Sequence, residues 1–160
     1  MSMKITTDNV AKVLASIQEL ASKQVLAGIP ASTADRDDGS PLNNAQIGYI
    51  QNYGSPAQNI PGRDFMESGI ELVQESINDH LKKAATAAVN GNSEKVDVEL
   101  NATGLVAQAG LRARINSGDF APLSKRTLAA RRRRGRTGIK PLIDKGELRN
   151  SLTYVIRKKD

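Results

Sequence analysis

The chain has 160 residues, of which 39% are apolar and only 3% aromatic, and its formal net charge is +6. That length suits one domain with one modest core, and the scarcity of aromatics leaves Leu, Ile, Val and Ala to build it. Cysteine is absent and histidine occurs once, which excludes a disulfide framework, a thiolate nucleophile and the usual zinc sphere, and no Gly-x-Ser-x-Gly elbow is present to support a serine triad.

Met1–Asp8 has no apolar signal core, and no apolar run approaches the roughly 18 residues of a membrane span. A soluble chain, cytoplasmic at synthesis and without a membrane partner, is expected. Charge is split along the chain. Residues 1–109 hold 8 Lys and Arg against 13 Asp and Glu, a net of −5, whereas residues 110–160 hold 15 against 4, a net of +11. A basic half of this kind calls for an acidic partner: nucleic acid, an anionic surface, or the acidic part of another copy.

In chain order, Thr7 or Asp8 can cap a first helix over about 8–21, with Val10, Val13, Leu14, Ile17, Leu20 and Ala21 as its apolar stripe. Residues 24–29 read as a short strand stopped by Pro30. Residues 30–41 are a polar loop rich in Asp, Ser, Gly and Pro. A second helix over 42–53 stops at Gly54, and Ile47, Tyr49, Ile50 and Tyr53 are expected in the core. Asn59-Ile-Pro-Gly-Arg-Asp-Phe65 is a turn with Ile60 or Phe65 as its buried anchor. A long helix over 65–89 follows, with Phe65, Leu72, Val73, Ile77, Leu81, Ala84, Ala85 and Ala88 as its stripe. Gly69 is its weak point and Asn90-Gly91-Asn92 its end. The next helix, over 94–116, carries Val98, Leu105, Ala109, Leu111 and Ile115, with Gly104 and Gly110 in its middle.

After Ser117-Gly118, Ser124 caps a basic helix that Gly135 and Gly138 end. Asp144 and Glu147 have the spacing of a capping box at the start of a one-turn helix. Residues 151–157 alternate as a strand and can pair with 24–29. The fold class expected is therefore α+β: a small antiparallel or mixed sheet on two long helices, with a basic C-terminal segment. Segments 30–41 and 118–142 are expected to be mobile loops in an isolated subunit, ordered on assembly.

The catalytic candidates are weak. His80 lies on the polar side of the long helix and reads as solvent-facing. Asp35, Asp37 and Asp38 lack the bidentate Glu of a calcium loop. Neither common Gly-rich phosphate loop occurs. No enzyme activity, cofactor or metal is expected. The strongest charged feature is Arg131, Arg132, Arg133 and Arg134 with Arg136. Its guanidinium forks suit phosphate contact, contact with a neighbouring subunit, or a solvated face. No aromatic is interleaved to stack on bases, so sequence-specific recognition is not supported. Arg63 is free to clasp carbonyls or an acid. Pro122, Leu123, Pro141, Leu142 and Ile143 are apolar docking anchors on either side of the run.

Four segments occur in a set order: Val25-Leu-Ala-Gly-Ile29; Asn43-Asn-Ala-Gln-Ile-Gly-Tyr-Ile50 with Tyr53-Gly-Ser-Pro56; Asn59-Ile-Pro-Gly-Arg-Asp-Phe65; and the block Phe120–Arg157 with Pro141-Leu-Ile-Asp144 and Gly146-Glu-Leu-Arg-Asn-Ser151. In this, the chain resembles the neck, or tail-completion, proteins of tailed bacteriophages over about 24–157. It departs from them at Gly62 and Asp64, where Ala and Pro are usual, and in its longer arginine run. The resemblance implies a non-enzymatic virion protein that joins the head, through portal and adaptor, to the tail. It implies a homo-oligomeric ring around the DNA channel, a hexamer favoured, next to tail terminator and tube proteins and with contact to channel DNA open to it. Such a protein resides in the virion neck after assembly in the host cytoplasm. The contact residues expected are Arg63, Arg131, Arg132, Arg133, Arg134 and Arg136. The alternative is a DNA-binding protein without sequence preference that uses the same arginines.

Overall fold

The computed structural model describes residues 9–31 and 41–159. Thr7, Asp8 and the aspartates at 35, 37 and 38 lie outside the described residues. The elements are α1 (Val10–Ser22), β1 (Lys23–Gly28), α2 (Asn44–Tyr53), a 3-10 turn (Pro56–Gln58), α3 (Glu67–Glu71), α4 (Gln74–Val89), α5 (Ser93–Ser117), α6 (Lys125–Arg133), α7 (Glu147–Asn150) and β2 (Thr153–Lys158). β1 and β2 form a two-stranded antiparallel sheet packed against long helices, so the fold is mixed α+β.

The chain divides into two compact units, each built from separated stretches. The first holds residues up to 26, 74–106 and from 155 onward; the second holds 27–73 and 107–154. Where composition suggested one modest core, the apolar residues gather in two clusters, one in each unit.

In the first unit α1 packs on α4. Ala87, Ala88, Val96 and Leu100 form the cluster, with Leu20, Val25 and Ile156 packed on it. The small alanines let neighbouring elements approach closely. Ser16 is buried and its hydroxyl meets that of Ser93 at 2.8 Å, which satisfies both groups away from water. Lys23 reaches Glu19 at 2.6 Å and Asp97 at 2.5 Å, and these two carboxylates raise the pKa of its ammonium. Much of the α1 stripe faces outward instead: Val10, Leu14 and Ile17 are exposed. On α5, Val98 and Leu105 are also exposed, and the buried face runs through Val96, Leu100 and Thr103. Residues of the same kinds lie on both faces of α5, so size and hydropathy alone misdirect the sequence reading here.

The second unit is built on Phe65, Leu111, Ile115 and Leu152, all fully buried, with Ile29, Ile70, Phe120, Leu142 and Ile143 packed around them. Phe65 is thus the anchor of its turn. The helix expected over 65–89 is interrupted at Leu72–Val73. There the Val73 N–H bonds the Ile70 carbonyl, a tightened turn that breaks the α ladder. Asp64 accepts from the Glu67 and Ser68 N–H groups and so serves the start of α3. α5 runs unbroken through Gly104 and Gly110.

Gly110 is a crossing point rather than a weak point. A Cβ there would lie 2.5 Å from the Gly69 carbonyl oxygen and 2.6 Å from Val73 Cγ2. Replacing glycine by alanine inside a helix ordinarily gains up to about 1 kcal/mol. Overpacking costs about 1–3 kcal/mol and outweighs it. Gly110→Ala is therefore expected to lower the urea unfolding midpoint. A raised midpoint would show that α3 can retreat from α5 without loss.

Candidate functional site

Asn52 organises the first part of the second unit. It sits at the end of α2, nearly fully buried, and its Oδ1 accepts from the Phe65 and Met66 N–H groups at 3.0 Å each. Its amide donates to Glu67 Oε2 at 3.0 Å, while the Tyr53 hydroxyl donates to Glu67 Oε1 at 2.8 Å. Those two hydrogen bonds, Asn52's foremost, hold the Glu67 carboxyl down to about 2, so it is ionised at neutral pH. Asn43 and Gln46 form a capping box that starts α2, and Gly54 ends it with a positive φ of 82°. A Cβ on Gly54 would meet the Gly62 nitrogen at 2.7 Å, so the helix stop and the following turn lock together only around glycine.

Arg63 is only 6% exposed. It donates from Nε to the Ala121 carbonyl at 3.0 Å and from Nη1 to Gln51 Oε1 at 2.9 Å. Burial lowers its pKa. It is an internal clasp and presents no guanidinium to a partner.

Arg131 has the same fate. α6 starts where expected, with the Ser124 hydroxyl accepting from the Thr127 N–H, and ends at Gly135, whose φ is +72°. Arg131 points inward at 9% exposure, and its Nη1 donates to the Gly138 and Lys140 carbonyls at 2.9 and 3.0 Å. Its Nε lies 3.6 Å from Asp144. Arg136 pairs with the other oxygen of the same carboxylate. The capping box expected from Asp144 and Glu147 does not form. Gly146, at φ 85°, holds the cap position of α7 without a side-chain cap, because Asp144 is engaged by the two arginines.

The segment 118–142, expected to be a mobile loop, is tied to the end of α5. Arg114 donates to Ser68 Oγ and to the Asp119 carbonyl, and its guanidinium lies 4.2 Å from the Phe120 ring centroid, a cation–π contact. Lys140 donates to the Asn116 carbonyl at 2.8 Å. Gln108 and Arg112 both donate to the Leu152 carbonyl, at 2.7 and 2.8 Å, which anchors the start of β2.

Of the expected contact residues, then, Arg63 and Arg131 are internal and Arg136 is paired. Arg132, Arg133 and Arg134 are exposed, with no side-chain hydrogen bond or ion pair among the described residues. Of the docking anchors, Pro141 is buried and Ile143 packs on the core. Leu142, held at φ 63°, packs there as well and also lines an open cleft with Leu123. That cleft, about 480 Å³, lies among α2, α6, the 142–146 turn and the start of α7, with Arg134, Lys145 and Glu147 along its walls. Pro122 is exposed.

Two surface features escape the sequence reading. Tyr49 and Tyr53, expected in the core, are 68% and 61% exposed with ring centroids 4.9 Å apart. The side of α2 that packs inward carries Gly48, whose lack of a side chain admits Ile29, and Asn52, which holds the Phe65 turn by hydrogen bonds. An open apolar groove of about 380 Å³ also runs over Ala27, Met66, Ile70 and Leu111, with Glu67 and Glu71 at its rim. In the first unit, His80 is not free in solvent: its Nδ1 meets Glu99 Oε2 at 2.7 Å, and that bond lowers the Glu99 pKa.

Among the described residues no group of three or more His, Cys, Asp or Glu could hold a metal, and no helix is long and apolar enough to cross a membrane. In comparison with known proteins, the chain matches no family model, no curated protein and no solved structure.

The internal and external arginines should separate on substitution. Arg131→Ala leaves two carbonyls without their donor and Asp144 with one partner fewer, and is expected to cost about 1–3 kcal/mol. Arg132→Ala, Arg133→Ala and Arg134→Ala are each expected within about 0.5 kcal/mol of the parent. Equal losses at all four positions in chemical unfolding would refute the division.

Proposed function

We propose that this chain is a virion structural protein that joins a phage head to its tail, assembling as a ring around the DNA channel. The observation that carries this reading is where the neck-like segments sit. Ile29 fills the space beside Gly48 and Leu148, Asn52 holds the Phe65 turn, Arg63 ties that turn to Ala121, and Leu152 closes the core of the second unit. Segments used in this way hold the second unit together. What that unit presents outward is contact chemistry: unpaired arginines, an exposed tyrosine pair and an apolar groove. Tyrosine and arginine are enriched where proteins meet.

A ring joins one face of each copy to a different face of the next. The strongly basic C-terminal part and the acidic remainder suit such a head-to-tail contact. Portal or adaptor on one side, and tail terminator or tube on the other, are the neighbours this role requires. The chain would reside in the virion neck after assembly in the host cytoplasm.

The exposure of Arg132, Arg133 and Arg134 favours a second reading, in which the chain holds DNA phosphates without reading sequence. Each phosphate neutralised would then add about 0.9 to the slope of log affinity against log salt.

Imaging the purified full chain by negative stain, with a duplex DNA titration over a range of salt, separates the two. Closed rings of uniform diameter are expected for the head–tail role. A monomer whose DNA affinity falls with salt, and whose slope drops when the three arginines are changed to Ala, would favour the second reading. A monomer that binds no DNA at low salt would overturn both.

A further inference from the structure

The second unit carries an exposed apolar side chain matched to its own open groove. Ile139 is 72% exposed, the most exposed large hydrophobic residue among those described. It is not on a loose loop. The carbonyls on either side of it, at Gly138 and Lys140, are both held by Nη1 of Arg131. The backbone is thereby pinned on both flanks and the side chain is left outside. Holding a contact residue in place beforehand removes part of the entropy cost of docking. The surroundings of Ile139 are basic. Among the described residues the Lys140 ammonium bonds the neutral Asn116 carbonyl and no carboxylate, and Arg134 is exposed nearby in the chain.

The groove has the opposite character. Its floor is apolar, made by Ala27, Met66, Ile70 and Leu111, and its rim is acidic, made by Glu67 and Glu71. Its volume of about 380 Å³ is wide open to solvent, so a side chain held outward on another surface can lie on that floor. Glu67 is held in place by Asn52 and Tyr53 and stays charged, so the acidic rim persists at neutral pH.

The geometry points to a contact between copies of this chain in which Ile139 of one copy enters the Ala27–Met66–Ile70–Leu111 groove of the next, with Lys140 against Glu67 and Glu71. Apolar knob and apolar floor, cation and acidic rim, agree in both terms. The knob and the groove are different patches, so the contact is head-to-tail and leaves a free knob and a free groove at each end of any open chain of copies. It closes only as a ring or runs on as a filament. This inference deepens the ring reading above and rests on it: it names which surfaces meet.

The absence of cysteine makes the test clean. Two full-length single-cysteine variants, Ile139→Cys and Glu71→Cys, both at exposed positions, are treated with a short thiol-to-thiol cross-linker, alone and as an equimolar mixture. A cross-linked pair is expected in the mixture and not in either variant alone. A second variant, Ile139→Asp, is expected to keep the parent melting temperature, because the side chain is outside the core, and to weaken self-association by about tenfold or more. Self-cross-linking of Ile139→Cys as readily as the mixture would show a twofold contact and overturn the proposal. No cross-link in the mixture, from a parent chain that images as rings, would overturn this contact and leave the ring reading standing. No cross-link, from a parent chain that stays monomeric at every concentration, would overturn both.

Discussion

The guanidinium of Arg131 is the constraint on which the outer half of the second unit depends. Taking an arginine out of water is costly unless its donors and its charge are both answered. Here Gly138 and Lys140 accept from Nη1, and Asp144 lies beside Nε. Those contacts pull the chain after α6 back against the helix and set the course of residues 138–144. They also help explain why Leu142 can sit at φ 63°, a conformation that costs a non-glycine residue about 1–3 kcal/mol and persists only where the surroundings dictate it. With Leu142 so placed, its side chain packs on the core of the second unit while also lining the cleft beside α6. One buried cation thus links the end of the arginine run to the hydrophobic cluster.

The basic half of the chain is accordingly two populations. Arg112, Arg114, Arg131 and Arg136, together with Lys140, act as long-reach donors to backbone carbonyls, hydroxyls or Asp144. These side chains do much of the fastening between segments. Arg132, Arg133 and Arg134 do none of it and face solvent. Neutral carbonyls and hydroxyls do not cancel these charges, so the net of +11 stands, and the position of each arginine decides which guanidinium groups a partner can touch.

Local signals explain what was legible in the sequence. Alternation gave β2, and a short run stopped by Pro30 gave β1, each to within a residue or two; Gly54 and Gly135 marked helix ends through their positive φ, and Ser124 capped α6 as its hydroxyl should. What could not be read depends on residues far apart in the chain. Asp144 has the spacing of a cap, but two arginines compete for its carboxylate and win. Gly110 looks like a helix weakness until α3 is seen lying across it. Tyr49 and Tyr53 have core spacing, yet the inward side of α2 needs the small Gly48 and the hydrogen-bonding Asn52. The arginine run itself is uniform in sequence, and only the fold distinguishes its first member. Asn52 left one trace in the sequence, an amide at the end of a helix just before a turn that needs acceptors.

The most direct test of the central claim, that the run is divided between an internal clasp and an external surface, is arginine footprinting. The folded full chain is exposed briefly to a dicarbonyl reagent that modifies guanidinium groups, and each site is read by peptide mass spectrometry. The account predicts rapid modification at Arg132, Arg133 and Arg134 and slow modification at Arg63 and Arg131, with the difference abolished in denaturant. Equal rates along Arg131–Arg134 in the folded chain would contradict it.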